Sequence, residues 1–106
     1  MLPAPDFMDK LERLRVQFDK PMPINSAARC SKWNALVSQT GDDGPHTTGR
    51  AVDIGVRGAD ALLLIVLAAR SGFTGVGVQQ KNGKRFVHLD DLPNSASQPR
   101  PHIWTY

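Results

Sequence analysis

Apolar residues recur at helical spacing near the start of the chain, at Phe7, Leu11, Leu14 and Phe18. Charged residues fill the opposite side of the same segment, so the pattern predicts an amphipathic first helix. Residues 20–23 contain two prolines, which lack a backbone N–H and favour extended geometry in the preceding residue. The helix is therefore expected to end before them.

Three shorter segments lead away from this helix. Residues 24–28 are predicted to form a strand, and residues 31–37 a second helix with Ser31 as its cap. The turn-forming composition of residues 40–45 predicts a loop. This loop brings the chain to His46.

Residues 50–56 alternate between branched apolar side chains and small or polar ones, the pattern of a half-buried strand. Val52, Ile54 and Val56 fall on the face that we assign to the core. Asp53 falls on the opposite face between an alanine and a glycine. Such small neighbours are expected to leave room for a ligand.

A helix and a strand hairpin follow in the sequence. Residues 59–70 are apolar nearly all round, which predicts a helix buried under the sheet. Residues 75–78 place valines on one face and glycines on the other, and a hairpin turn leads to a partner strand at 85–90. If the valine faces align, Asp53 and His88 look into one groove lined by glycine and alanine. The tail after this strand has the composition of a loop.

The composition describes one small globular domain spanning residues 1–106. The chain is 41% hydrophobic and 22% charged, with one cysteine and a net charge of +3. One cysteine excludes an internal disulfide framework. We find no export signal and no apolar stretch near the roughly 20 residues that span a bilayer. We therefore expect a soluble monomer that is made in the cytoplasm and does not bind membranes.

Two histidines and one carboxylate, His46, Asp53 and His88, are the candidate metal ligands. A catalytic zinc site uses three such ligands and leaves a fourth position open for water. A surface histidine is the alternative for His46, and a bond to loop amides is the alternative for Asp53. A buried carboxylate without a partner is costly, however, and a metal would satisfy it. The sequence thus predicts one Zn²⁺ per chain.

The chain carries, in this order, the segments SAARCSKWN, HTTGRAVDI, SGFTGVGV, FVHLD and RPHIWTY. This order resembles the zinc D-alanyl-D-alanine carboxypeptidase family, and most closely its short single-domain members. The resemblance implies an α+β fold of the Hedgehog/DD-peptidase type, with a small antiparallel sheet and helices packed on one face. It also implies zinc ligation by His46, Asp53 and His88, and cleavage of peptidoglycan stem peptides. Arg29 would contact a substrate carboxylate or oxyanion, although a surface role is its alternative.

The chain departs from the family pattern at two positions. Family members commonly place an acidic general base three positions before the last zinc histidine, and this position is Arg85 here. An arginine cannot accept a proton at neutral pH. The serine usually found two residues before the first histidine is Gly44. Asp90, which shares a strand face with His88, is then the provisional proton carrier, ahead of Asp91. The alternatives are another carboxylate or a catalytically weak site.

Three functions are compatible with these observations. The first is a zinc metallopeptidase, either a carboxypeptidase or an endolysin-type endopeptidase, acting at the bacterial cell wall as phage lysins do. The second is a zinc-stabilised module that binds cell-wall peptide without cutting it, which Arg85 favours. The third is a nucleic-acid-binding domain, but the basic residues are scattered with little aromatic interleaving, so we expect no nucleic-acid partner.

Overall fold

The computed structural model describes residues 4–27, 49–81 and 83–106, where two helices pack against one face of a five-stranded sheet. The elements are α1 (Pro5–Phe18), β1 (Ile24–Ala27), β2 (Ala51–Ile54), α2 (Gly58–Arg70), β3 (Gly75–Gln79), β4 (Phe86–Asp90) and β5 (His102–Thr105). The predicted α+β class is confirmed. The helix predicted at 31–37 and the loop predicted at 40–45 lie outside the described residues.

The sheet has the strand order β1-β2-β4-β3-β5. All pairings are antiparallel except that of β5, which runs parallel to β3. The prediction of an antiparallel sheet is therefore wrong for its last strand, and so is the prediction that the tail is a loop. The prolines around His102–Thr105 give the tail a loop composition, and an edge strand with mostly exposed side chains shows no clear alternation.

Helix α1 buries the four apolar residues that its periodicity indicated, Phe7, Leu11, Leu14 and Phe18. Pro5 occupies its first position, where a missing N–H costs nothing. The left-handed backbone of the residue after Phe18 closes its last turn.

Helix α2 was predicted to be buried nearly all round, and this prediction is wrong. Ala61, Leu64 and Ala68 are buried, whereas Leu62 is 65% exposed and Val66 is 47% exposed. Both described helices share one face of the sheet, so α2 can bury only one stripe of its surface. Apolar composition alone does not reveal this geometry. No helix in the described part of the chain is long and apolar enough to cross a membrane.

The pairing of β2 with β4 sets the position of the candidate site. Asp53 lies opposite His88 in the register of these two strands. Val52, Ile54, Val87 and Leu89 are completely buried on the other face, in contact with the helices. The core therefore fixes which way Asp53 and His88 project, because a slip of one residue would exchange the two faces.

Helix α1 is also joined to the sheet by ion pairs around Asp91, whose side chain is 2% exposed. Lys10 Nζ lies 2.8 Å from Asp91 Oδ2, and Arg50 Nε lies 2.8 Å from Asp91 Oδ1. Arg50 also donates two hydrogen bonds to Asp6 at the start of the helix. One buried carboxylate thus connects α1 to the strand ends next to the site.

We predict that Asp91→Ala lowers the free energy of unfolding by about 1–3 kcal/mol, since two cations lose their shared partner. Urea denaturation at equal zinc content measures this change. Glu12→Ala, which breaks the exposed pair between Glu12 and Arg15, is the control and should have little effect. Equal effects of the two substitutions would contradict the assigned role of Asp91.

Candidate metal centre

His88 lies in the middle of β4 between two carboxylates, and its side chain is 3% exposed. Its Nδ1 is 3.1 Å from Asp53 Oδ1, and its Nε2 is 2.8 Å from Asp90 Oδ2. Asp53 reaches the ring from the neighbouring strand, while Asp90 reaches it from two residues further along β4. The imidazole is therefore held from both sides in one orientation.

Asp90 is completely buried, and its negative charge is balanced by Arg100, which lies in the tail of the chain. Arg100 donates from Nε to Oδ1 at 2.9 Å and from Nη2 to Oδ2 at 2.8 Å. The backbone N–H of Leu92 donates to Oδ1 at 3.3 Å. This fork of two parallel bonds is the strong form of an arginine–carboxylate pair. Both oxygens of Asp90 are thus engaged within the protein.

The electrostatics of this cluster follow from its contacts. Burial raises the pKa of Asp90, but the hydrogen bonds and charges of His88 and Arg100 outweigh it and bring the pKa to about 2. Burial lowers the pKa of His88, and the bonds to Asp53 and Asp90 outweigh it, so this pKa is raised. Asp90 is consequently an ionised partner for the Nε2 proton of His88 at neutral pH.

The glycine face of β3 was predicted to line an open groove, and the structure corrects this. A Cβ on Gly75 would lie 2.5 Å from Cγ of Asp90, and a Cβ on Gly77 would lie 2.7 Å from Nε1 of Trp104. The space above both glycines is filled by these side chains. The two glycines therefore make room for Asp90 and Trp104, which contact His88, and not for a ligand.

Trp104 covers His88 from the side of β5. The two rings lie 5.2 Å apart at 50°, and the Arg100 guanidinium carbon lies 5.1 Å from the centre of the indole ring. No local pattern in the sequence indicated a role for Arg100. The segment RPHIWTY, which contributes to the family resemblance, was the one signal that included Arg100 and Trp104. The role of Arg100 itself depends on the pairing of β5 with β3, which local sequence patterns do not show.

A cleft of about 490 Å³ opens beside Asp53. Its described lining consists of Asn25, Asp53, Gly55, Gly83, Lys84, Arg85 and Phe86. A peptide in this cleft would meet the face of the sheet at which Asp53 and His88 come together.

Asp53 and His88 fit two positions of a zinc site. Two ligand atoms bound to one tetrahedral zinc at about 2.0–2.1 Å are about 3.3 Å apart, close to the 3.1 Å between Asp53 Oδ1 and His88 Nδ1. A hydrogen bond from the other ring nitrogen to a carboxylate is the usual support of a zinc histidine, and Asp90 is placed to accept it. His46, the expected third ligand, lies outside the described residues, as does Arg29. Among the described residues no three His, Cys, Asp or Glu side chains form a group that could hold a metal ion.

A family model described as Peptidase M15 matches residues 2–90 of the chain. The match includes Asp53, His88 and Asp90, whereas Arg100 and Trp104 lie beyond its end. No curated protein and no solved structure matches the chain.

We predict that Gly75→Ala lowers the free energy of unfolding by about 1–3 kcal/mol, because the added methyl group meets the buried carboxylate of Asp90. It should also weaken zinc binding, since Asp90 can move only by releasing His88. Gly83→Ala is the matched control, because a Cβ there would have no atom of residues 4–27, 49–81 or 85–106 within 4 Å. Thermal unfolding and zinc titration of both variants test the prediction, which fails if Gly75→Ala behaves like the control.

Proposed function

Because the chain belongs to the peptidase M15 family, we propose that it is a zinc peptidase that cleaves peptide bonds in the stem peptides of bacterial peptidoglycan. The observation that carries this proposal is the pairing of Asp53 with His88 beside the cleft. The experiment that tests it is incubation of the zinc-loaded protein with purified peptidoglycan, followed by mass spectrometry of the released fragments. New amino termini or released D-alanine are expected.

We assign His46, Asp53 and His88 as the residues that would hold zinc. When bound, such an ion supplies Lewis-acid activation of a water molecule and of the scissile carbonyl group. His88 would present Nδ1 to the metal because Asp90 accepts the proton on Nε2. Arg29 remains our candidate for binding a substrate carboxylate or oxyanion, on the strength of its position in the SAARC segment.

Asp90 was the provisional proton carrier, but its surroundings support a different role. Both of its oxygens accept hydrogen bonds from other groups, and the side chain is completely buried. A base must reach the proton it removes directly or through one water. We therefore propose that Asp90 positions His88. The proton acceptor is then another group, since Asp53, the one carboxylate among the described residues lining the cleft, is assigned to zinc.

A binding module that recognises cell-wall peptide without cutting it is the second candidate. Arg85 favours it, because this exposed arginine lines the cleft where family members commonly have an acidic base. Zinc-loaded protein that binds stem peptides but releases no fragments from several peptidoglycan types would support this candidate over the peptidase.

We predict that the purified protein holds one zinc ion per chain. Removal of the metal by a chelator should lower the melting temperature, because zinc binds the folded state preferentially. The double substitution His46→Ala, His88→Ala should abolish stoichiometric binding, as measured by metal analysis after dialysis. Full zinc occupancy in this double variant would exclude the assigned ligands.

We predict that Asp90→Asn weakens zinc binding by about ten- to a hundredfold, as expected for loss of a group that orients a ligand. At saturating zinc, most of the activity should return. A general base would instead leave zinc binding intact and lower kcat by roughly two to four orders of magnitude. Zinc titration and kinetics on the same samples separate the two roles, and Asp91→Asn serves as the neighbouring control that should leave zinc affinity unchanged.

A further inference from the structure

A second cavity adjoins the cleft beside Asp53. It has a volume of about 290 Å³ and is lined by Gly55, Val56, Arg57, Gly83 and Arg85. Three of these residues, Gly55, Gly83 and Arg85, also line the cleft. The two cavities therefore adjoin, and together we call them the basic groove because Arg57, Lys84 and Arg85 line them.

Most cations elsewhere in the described structure have a carboxylate partner. Such pairs are made by Lys10, Arg15, Lys20, Arg50 and Arg100. In residues 4–27, 49–81 and 83–106, no ion pair involves Arg57, Lys84 or Arg85. Three cations without an ion-pair partner in this part of the chain thus line the basic groove, which includes Asp53 in its described lining.

Acidic side chains do not offset this charge along the described lining. Asp53 is the one carboxylate there, and it is already engaged with His88. Three positive charges near one another attract an anionic group and raise its local concentration. Phe86, which packs against Tyr106 with ring centres 5.2 Å apart, adds an apolar surface beside the cations.

We propose that the basic groove binds a carboxylate of the peptide being cleaved, on the part of the peptide that extends from Asp53 towards Arg57. Arg85 is the central contact because it lines both cavities, and Lys84 adds a second charge. A guanidinium matches a carboxylate with two parallel hydrogen bonds and gains little from a neutral amide. Arg85 thereby gives the protein a preference for peptides with a free carboxylate over their amidated forms. This inference rests on the proposed peptidase function.

The test uses zinc-loaded protein and synthetic stem pentapeptides in three forms. One form has all carboxylates free, a second has its side-chain carboxylate amidated, and a third has its C-terminal carboxylate amidated. Arg85→Gln and Lys84→Gln are compared with the wild type and with Arg13→Gln. Arg13 is an exposed cation on α1 that does not line the groove, and its substitution changes the net charge equally.

We expect Arg85→Gln to raise KM for the free peptide by about three- to tenfold with little change in kcat. Lys84→Gln should act in the same direction more weakly, and Arg13→Gln should change KM less than twofold. With the wild type, one of the two amidated peptides should have a KM that is about three- to tenfold above that of the free peptide. Arg85→Gln should not change the KM for that amidated peptide. The amidated position that shows this behaviour identifies the recognised carboxylate. The wild-type preference should weaken as salt is added.

If Arg85→Gln changes KM equally for the free peptide and for both amidated peptides, the inference is wrong. Cleavage of these peptides would still support the peptidase function. If no peptide is cut, the same peptides are titrated into wild type and Arg85→Gln by calorimetry. A Kd that rises in the variant for the free peptide but not for one of the two amidated peptides supports carboxylate binding, although the peptidase function has then failed. Equal Kd values for the two proteins overturn the inference as well.

Discussion

The buried carboxylate of Asp90 is the constraint on which the candidate site depends. An ionised group without compensation costs several kcal/mol in a protein interior, and Asp90 is completely buried. His88, from the same strand, and Arg100, from the tail of the chain, supply the compensation. Asp90 therefore links the orientation of a proposed metal ligand to the position of the C-terminal segment.

Two features of the sheet follow from this constraint. β5 must pair beside β3, because this pairing carries Arg100 and Trp104 to the site. Gly75 must lack a side chain, because the Asp90 carboxylate occupies the space that a Cβ would need. The family match ends at residue 90, so the cation that neutralises Asp90 comes from a segment beyond the matched region. The support of His88 is thus formed jointly by the matched region and the tail.

One face of the sheet packs in the hydrophobic core, and the other carries the candidate site. One face of β2 and β4 is packed against the helices, and this packing fixes the strand register. The other face carries Asp53 and His88, and Asp53 lines a cleft with cations along its wall. Ligands held on paired strands keep their separation more precisely than ligands on loops. This placement suits a metal centre whose donor atoms need a defined spacing.

Much of this arrangement was accessible from the sequence. The alternation in residues 50–56 and 85–90 identified the core face correctly and so placed Asp53 and His88 on one face of the sheet. The register, in which these two residues lie opposite each other, comes from the structure. The exposed side of α2 was missed, because composition does not tell how many faces of a helix find a partner. The β5 strand and the Arg100–Asp90 pair were missed because they depend on contacts between distant segments, which local patterns do not encode. His46 and Arg29 stay predictions, since they lie outside the described residues.

Nitrogen NMR of the zinc-loaded protein, with ¹⁵N-labelled histidine and His88→Gln for assignment, tests the central claim most directly. The account predicts that Nδ1 of His88 binds the metal while Nε2 keeps its proton and donates it to Asp90. Metal bound through Nε2, or a His88 spectrum that does not change when zinc is added, would contradict it.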